Sequence, residues 1–300
     1  MQIFIAGGTG FIGKALIRKL LQENHSVTAL ARNSDKLGDL SQHIRTVVGS
    51  PLIAGSWQQE VASHETIINL TGSNIFTRWT PAAKKMILHS RVASTQNIVQ
   101  AIPAQSDSPI TLINASASGY YGFCRDEGKY ETDLPGSDFL ASVCQAWENE
   151  ANQAQGKARV VLMRTGIVLG KNGGALATML PAFRLGVGGK LGHGRQWFPW
   201  IHLNDLSSAI IFLMDHKEIH GPVNLSAPQP VRNEDFTRYL GKTLHRPTFM
   251  SVPKFAIRLA LGELSSVALE GCKMMPGVLL ENGFTFRFPE VLPAIEDIIG

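Results

Sequence analysis

Residues 7–13 read Gly-Gly-Thr-Gly-Phe-Ile-Gly, and they lie between two segments with different patterns of apolar residues. The preceding run, Ile3-Phe4-Ile5-Ala6, is typical of a buried strand, and residues 14–21 have the pattern of an amphipathic helix. A strand, a glycine-rich turn and a helix in this order cradle a phosphate group in dinucleotide folds. The sequence therefore predicts a nucleotide-binding fold that begins at its first strand.

Each glycine of this motif has its own expected role. Gly7 allows a tight turn, Gly10 lets the backbone approach a pyrophosphate, and Gly13 lets the helix pack closely on the strand. The free N–H groups at the positive end of the helix would then hold the pyrophosphate. The cofactor contacts expected from this turn are Gly7, Thr9, Gly10, Phe11, Ile12 and Gly13.

The composition is that of an ordinary globular protein, with 44% apolar and 17% charged residues. No stretch approaches the roughly 18 consecutive apolar residues of a membrane helix, and a first strand at Gln2 leaves no room for a cleavable signal. Cys124, Cys144 and Cys272 are widely spaced and form no metal-ligand pattern. We expect a cytoplasmic protein with reduced thiols, no membrane segment and no metal.

The net charge of +4 is small for 300 residues, and the basic residues are scattered. No run of five basic residues and no aromatic-interleaved basic patch is present, which argues against nucleic acid as a partner. The expected partner is a small-molecule substrate, with the chain acting as a monomer or a homodimer.

Strand-like and helix-like patterns alternate through the first half of the chain. This alternation predicts an α/β fold, a Rossmann-like doubly wound parallel sheet with helices on both faces and its chemistry at the carboxyl edge. The expected strands after the first are residues 26–31, 44–48, 66–70, 110–115 and 159–163, and the expected helices are residues 35–40, 81–102 and 138–155.

The pattern changes after Gly166, because glycines crowd residues 170–194. The later expected elements are a helix at residues 203–214, a strand at residues 222–225, and helices at residues 232–244 and 253–282. We expect an NADP-binding Rossmann domain over residues 1–165, to which roughly residues 203–225 return. A smaller, mostly helical substrate lobe would take residues 166–300, with a helical C-terminal domain at about residues 250–297.

The end of the second strand indicates which coenzyme is bound. An acidic residue there would hold the ribose hydroxyls and favour NAD, but this chain has Arg32. A guanidinium can grip a 2′-phosphate, so we expect NADP (NADPH) rather than NAD; the alternative is an ordinary surface arginine. Leu70, Thr71 and Gly72 follow the fourth strand and would let the chain pass close under an adenosine ribose.

Several segments together resemble the extended short-chain dehydrogenase/reductase superfamily, which includes sugar-nucleotide epimerases. The closer resemblance is to an atypical branch, the epimerase-family proteins of the YfcH type, whose C-terminal region is a small helical domain. This resemblance implies further cofactor contacts from Arg164 and Gly166. The segments that carry it are residues 7–13, Asn69-Leu70-Thr71-Gly72, Ser116-Ala117-Ser118-Gly119-Tyr120-Tyr121-Gly122, Arg164-Thr165-Gly166-Ile167-Val168-Leu169-Gly170 and Trp200-Ile201-His202-Leu203-Asn204-Asp205.

The resemblance implies a Ser or Thr after the fifth strand that holds the substrate oxygen. Ser116 matches best, but the match needs one extra residue before the Tyr-Gly pair, so Ser118 remains a rival. The superfamily also uses a tyrosine with a lysine four residues later, and these positions hold Leu140 and Cys144 here. Neither side chain can relay a proton, so the usual mechanism does not carry over.

Tyr120 or Tyr121 could act as a replacement acid, with Arg125 four residues after Tyr121 to acidify its phenol. The alternative is that these rings pack against the nicotinamide or the substrate. Ser116, Tyr120 and Tyr121 are therefore the candidate catalytic residues.

The second half of the chain offers candidate substrate contacts. Arg184 and Arg195 provide charged forks, and Trp197 and Trp200 provide flat apolar walls. Ser118 and Arg78, which lies on a loop after the fourth strand, would face the same edge.

The sequence also predicts roles for two further polar side chains. Arg91 is expected to form a surface pair with a neighbouring carboxylate. His202 precedes a helix and is either structural or catalytic.

Two functions follow from these residues. The first is an NADP(H)-dependent oxidoreductase or epimerase-like enzyme that acts on a small carbonyl or hydroxyl compound or a nucleotide sugar. The alternative is a non-catalytic NADP(H)-binding regulatory protein, because the chain keeps the glycine motif and lacks the tyrosine and lysine. Some relatives carry cell-division-inhibitor labels, which is the only link to that process.

Overall fold

The computed structural model describes residues 1–105 and 109–300. Its central sheet has seven strands in the order β7-β6-β5-β4-β1-β2-β3, all parallel. These strands are β1 (Gln2–Ala6), β2 (Ser26–Ala31), β3 (Arg45–Val48), β4 (Thr66–Asn69), β5 (Ile110–Ala117), β6 (Ala158–Thr165) and β7 (Gly221–Leu225). The predicted α/β class and doubly wound parallel sheet are confirmed.

Both faces of the sheet are covered by helices, which is why its strands are apolar on both sides. The covering helices are α1 (Phe11–Gln22), α2 (Pro81–Ala101), α3 (Phe139–Asn152) and α4 (Leu203–Asp215). Alternate residues of β1 enter different cores: Ile3 and Ile5 pack with α1 and α4, whereas Phe4 and Ala6 pack with α2 and α3.

A third core lies outside the sheet and includes the buried rings of Phe183, Trp200 and Phe236. The shorter helices, three of them 3₁₀, are Ser34–Gln42, Gln58–Val61, Ser118–Tyr121, Gly174–Arg184, Asn233–Thr243, Lys254–Leu261, Gly262–Leu264, Ser265–Leu269, Gly277–Glu281 and Val291–Ile299. The short strands pair as Gly128–Lys129 with Lys273–Met274, Ile167–Gly170 with Trp200–His202, Lys190–Leu191 with Ser251–Val252, and Trp197–Phe198 with Val231–Arg232.

The structure corrects the expected helix over residues 253–282. Gly262, with φ +58°, ends Lys254–Leu261, and the chain then continues through two short helices and the strand Lys273–Met274. The glycine-rich stretch after residue 170 also contains a helix, Gly174–Arg184, which its glycines concealed.

The segment after residue 253 covers part of the carboxyl edge of the sheet. Leu264 packs with Trp79, Ile87 and Val143, and Lys84 forms an ion pair with Glu263. No described helix is long and apolar enough to span a bilayer.

Candidate functional site

The turn after β1 requires two of its glycines for steric reasons. Gly7 has φ +87°, and a Cβ there would lie 2.8 Å from the carbonyl carbon of Leu70. A Cβ on Gly13 would lie 2.5 Å from the carbonyl oxygen of Gly7, so this glycine lets α1 approach the turn. Both positions therefore shape the turn itself.

Gly10 differs, because packing within the protein does not require a glycine there. A Cβ on Gly10 would meet only the carbonyl oxygen of Gly7, at 3.4 Å. Gly10 is exposed and precedes α1, and no side chain of residues 1–105 or 109–300 caps that helix. The space in front of Gly10 is open and faces free backbone N–H groups, so the turn fits a diphosphate. Thr9, Phe11 and Ile12 flank Gly10 in the chain, but the ring of Phe11 lies against the glycines at 170–174 and Ile12 packs against the core that contains Ile3 and Ile5.

Arg32 follows β2, one strand from the glycine turn. Its side chain is exposed and makes no hydrogen bond or ion pair with any part of the chain that the structure describes. The next residue, Asn33, caps the following helix by accepting a hydrogen bond from the Asp35 N–H at 2.7 Å. The Arg32 guanidinium is thus available to an anionic ligand.

The turn after β4 lies directly beside the glycine turn. The Leu70 N–H donates to the Ala6 carbonyl at 2.8 Å, and the Thr71 N–H donates to Asn69 Oδ1 at 3.1 Å. The Thr71 hydroxyl is buried and has no partner within residues 1–105 and 109–300. Gly72 is exposed at the carboxyl edge of the sheet.

Ser116 does not present a free hydroxyl to a substrate. It is 4% exposed, and its Oγ–H donates to Glu148 Oε1 at 2.6 Å. Ser118 is half-buried, and its side chain has no hydrogen bond to the described residues. Of the two rival serines, Ser118 has the available hydroxyl, and the structure corrects the preference for Ser116.

Arg164 lies inside the protein rather than at the cofactor edge. Its Nε and Nη2 donate to the two carboxylate oxygens of Glu148 at 2.9 and 2.8 Å. Its Nη1 donates at 3.0 Å to both the Tyr121 hydroxyl and the Glu131 carbonyl. Burial alone would lower the pKa of Arg164, but hydrogen bonding and charge pairing with Glu148 raise it. This guanidinium is occupied by protein partners, which corrects its expected cofactor role.

Gly166 also has a reason within the protein. A Cβ there would lie 2.5 Å from the carbonyl oxygen of Pro199, so two chain segments approach each other too closely for a side chain. The expected cofactor contact is not needed to explain this glycine.

The two candidate tyrosines belong to the same cluster. Tyr121 is 3% exposed and donates to Asn224 Oδ1 at 2.6 Å. Burial raises its pKa well above the ordinary value of a phenol, which is the wrong direction for a proton donor near neutral pH. The ring of Tyr120 covers the Arg164 guanidinium, 3.4 Å from its carbon atom. Tyr121 therefore has a structural role in this cluster and not the expected catalytic one. Tyr120 is half-buried.

Leu140 and Cys144, on α3, lie beside the turn that follows β5, as their alignment with the tyrosine and lysine positions requires. A Cβ on Gly119 would be 3.1 Å from Leu140 Cβ and 3.8 Å from Cys144 Sγ. Burial raises the pKa of the Cys144 thiol to about 12. Neither residue can exchange a proton here.

Arg91, on α2, is not the surface ion pair that its sequence suggests. Its Nη1 donates to the carbonyls of Ser73 at 3.2 Å and Ile87 at 3.0 Å, and its guanidinium lies 5.0 Å from the Trp147 ring centroid. A Cβ on Gly72 would lie 3.1 Å from Nη2. Burial lowers the pKa of this guanidinium, and no carboxylate pairs with it in the described ranges.

A cleft of about 350 Å³ opens beside the N-terminus of α3. Its aromatic lining is Trp79, Phe123 and Phe139, and its charged lining is Asp138 and Glu263, with Ser265 and Ser266 completing it. Sequence reasoning missed this set, although the Arg-Trp pair after β4 was a usable signal. Arg78 itself is exposed next to Trp79.

Four other expected substrate residues do not line this cleft. Trp200 is 1% exposed in the third core and donates to the Gln229 carbonyl at 3.2 Å, so it cannot be a pocket wall. Trp197 donates to Asp126 at 3.1 Å. Arg184 and Arg195 are exposed elsewhere.

His202 is structural in this fold. Its Nδ1 accepts from the Asn204 N–H at 3.1 Å and so caps α4, and its Nε2 lies 3.4 Å from Asp297. Burial lowers its pKa.

Comparison with known proteins identifies two matching regions. Residues 3–226 match the NAD dependent epimerase/dehydratase family, and residues 252–298 match a domain of unknown function (DUF1731). An epimerase family protein SDR39U1 homologue (chloroplastic) of Arabidopsis thaliana is 39% identical over 307 residues, covering 100% of this chain and 87% of the relative. An epimerase family protein of Staphylococcus haemolyticus is 40% identical and covers 99% of each chain.

The fold is also similar to a crystal structure of human epimerase family protein SDR39U1 (isoform 2) with NADPH. The TM-score is 0.88 at 31% identity, and the alignment covers 99% of both chains.

Proposed function

This chain belongs to the NAD-dependent epimerase/dehydratase family, and on that basis we propose that it is an NADP(H)-dependent oxidoreductase or epimerase-like enzyme for a small carbonyl or hydroxyl compound. The observation that carries the proposal is the open glycine turn at Gly10 with the unpaired guanidinium of Arg32 one strand away. A 2′-phosphate has the charge and geometry that this guanidinium binds, and the human relative is described with NADPH.

The coenzyme, when bound, supplies or accepts a hydride. The chain orients the substrate and polarises its oxygen. Ser118 is suited to this, because its hydroxyl is unpaired among the described residues, whereas that of Ser116 donates to Glu148. A hydroxyl in this place can donate to a carbonyl or accept from an alcohol.

The cleft beside α3 favours a small apolar or aromatic substrate over a nucleotide sugar. Three aromatic rings form its walls, and its ionisable lining consists of Asp138 and Glu263. Asp138 already accepts the Ala141 N–H at 3.1 Å, and Glu263 pairs with Lys84. A nucleotide diphosphate would need free cationic groups in this cleft, and the lysine beside it, Lys84, lies 5.1 Å from the Phe139 ring centroid and is already paired with Glu263.

A second function has its own observation. Leu140 is apolar, and burial raises the pKa of the Cys144 thiol to about 12. The Tyr121 hydroxyl donates to Asn224, and the Ser116 hydroxyl donates to Glu148. Without the usual tyrosine and lysine, and with Ser116 and Tyr121 already paired within the described residues, the site suits a regulatory protein that binds NADP(H) without consuming it.

One experiment separates the two functions. The purified protein, at high concentration, is incubated with NADPH and a panel of aldehydes, ketones and nucleotide sugars, and absorbance at the coenzyme's band is followed. Oxidation of NADPH in the presence of an aromatic aldehyde or ketone supports the enzymatic function, provided that its rate is lower in a Trp79→Ala variant. Tight binding of NADPH with no turnover across the panel supports the regulator.

A further inference from the structure

We propose that Arg91 binds the ribose hydroxyls on the nicotinamide side of the dinucleotide and so supplies, from α2, the positive charge that position 144 lacks. This inference rests on the proposed NADP(H) binding. Arg91 would be a positioning residue, since a guanidinium keeps its proton and cannot act as an acid.

The first observation is that Arg91 has spare donors. Its Nη1 serves the carbonyls of Ser73 and Ile87, but its Nε and Nη2 have no partner among residues 1–105 and 109–300. These two groups lie nearest to Gly72, because a Cβ there would be 3.1 Å from Nη2 and 3.4 Å from Nε. Gly72 is exposed and Arg91 is half-buried, so this contact lies at the carboxyl edge of the sheet.

The second observation is the missing counter-charge. Arg91 is half-buried against the Trp147 ring, and no carboxylate balances it in the described structure. A neutral side chain could also donate to the Ser73 carbonyl, and burying it would cost less desolvation free energy than burying a guanidinium. A buried cation with two free donors points instead to a ligand rich in oxygen atoms.

The third observation is the strand order, which assigns the two halves of the ligand. The glycine turn follows β1, Arg32 follows β2 on one side, and Gly72 follows β4 on the other. If the diphosphate sits at the turn and the 2′-phosphate at Arg32, the adenosine half lies over β2. The nicotinamide half then lies over β4 and β5, beside Arg91, so Leu70, Thr71 and Gly72 would face this half and not the adenosine ribose expected from the sequence.

The fourth observation is that the positive charge lies on α2, at Arg91, and not at position 144 on α3. Cys144 and Trp147 are three residues apart and share a face of α3, and the Arg91 guanidinium lies 5.0 Å from the Trp147 ring centroid. Arg91 therefore reaches, from the neighbouring helix, the surface on which a lysine at position 144 would stand.

Calorimetric titration with two probes tests this assignment. NADPH carries both halves of the ligand, whereas 2′-phospho-ADP lacks the nicotinamide riboside. Arg91→Met should weaken NADPH binding about 10- to 100-fold, the equivalent of one or two charge-assisted hydrogen bonds, and change 2′-phospho-ADP binding less than about twofold. Arg91→Lys should recover most of the NADPH affinity.

Two controls keep the outcomes separate. Arg32→Ser should weaken both probes and leave NADH unchanged, and Arg238→Met, at an exposed arginine of a distant helix, should change neither. If Arg91→Met does not fold by circular dichroism, Arg91→Gln replaces it. Unchanged NADPH binding, or equal loss of both probes, overturns the role of Arg91. Failure of the unaltered protein to bind NADPH overturns the proposed function instead.

Discussion

Replacing Arg164 by methionine should destabilise the protein more than any exposed arginine replacement. Arg164 and Glu148 have side chains only 4% and 6% exposed, and two hydrogen bonds of 2.9 and 2.8 Å join them. Arg164→Met leaves the Glu148 carboxylate buried with one remaining donor, Ser116. Removing one partner of such a pair costs about 3–5 kcal/mol.

Removing both charges should cost less than removing one. In Arg164→Met with Glu148→Met no charge is left buried, and what remains is the loss of hydrogen bonds at Ser116, Tyr121 and the Glu131 carbonyl. At about 0.5–1 kcal/mol each, these three losses sum to about 1.5–3 kcal/mol, below the cost of leaving one charge unpaired.

Urea unfolding followed by tryptophan fluorescence and circular dichroism measures these free energies of unfolding. Arg238→Met is the matched control, because that side chain is 65% exposed, and its loss should cost less than about 1 kcal/mol. A cost below about 1 kcal/mol for Arg164→Met, or a double variant as unstable as the single one, would refute a structural role for this pair.

Two further predictions concern the glycine turn and the thiols. Gly10→Ala should leave the thermal unfolding midpoint nearly unchanged and weaken NADPH binding by about tenfold or more. Gly13→Ala should also lower the thermal midpoint, because its Cβ would lie 2.5 Å from the Gly7 carbonyl oxygen. A lower midpoint for Gly10→Ala and an unchanged one for Gly13→Ala would contradict these steric roles. Burial raises the pKa of all three thiols, and it raises those of Cys144 and Cys272 to about 12. At pH 8 a disulfide reagent should therefore modify the half-buried Cys124 first and the buried Cys144 and Cys272 much more slowly, and all three quickly after unfolding; rapid modification of three thiols in the folded protein would be inconsistent with this burial.

The centre of the sheet could be predicted from the sequence because β1, β2 and β4 are buried on both faces. Each of these strands is a nearly continuous apolar run, and the predicted strand at residues 26–31 matches Ser26–Ala31 in the structure. The glycine turn could be predicted because its requirements are local to seven residues. The broken helices after residue 253 depended on contacts with distant strands, such as Gly128–Lys129, which no local pattern shows.

The candidate catalytic residues could not be assigned from the sequence for a related reason. Ser116 is at the right strand end, but its hydroxyl is taken by Glu148, 32 residues later, which is itself held by Arg164. Whether a polar side chain faces a cleft or a buried partner depends on such long-range pairs. Trp200 shows the same limit for aromatic residues, since a ring that lines a pocket and a ring that fills a core are alike in sequence.

The ratio of NADPH to NADH affinity, measured for the unaltered protein and for Arg32→Ser, tests whether Arg32 binds the 2′-phosphate of the coenzyme. We expect the unaltered protein to bind NADPH about tenfold to a hundredfold more tightly, the range for a charge-assisted contact to a phosphate, and the variant to bind both coenzymes alike. No measurable binding of either coenzyme, or a preference for NADPH that survives the loss of Arg32, would contradict the assignment of the 2′-phosphate to Arg32.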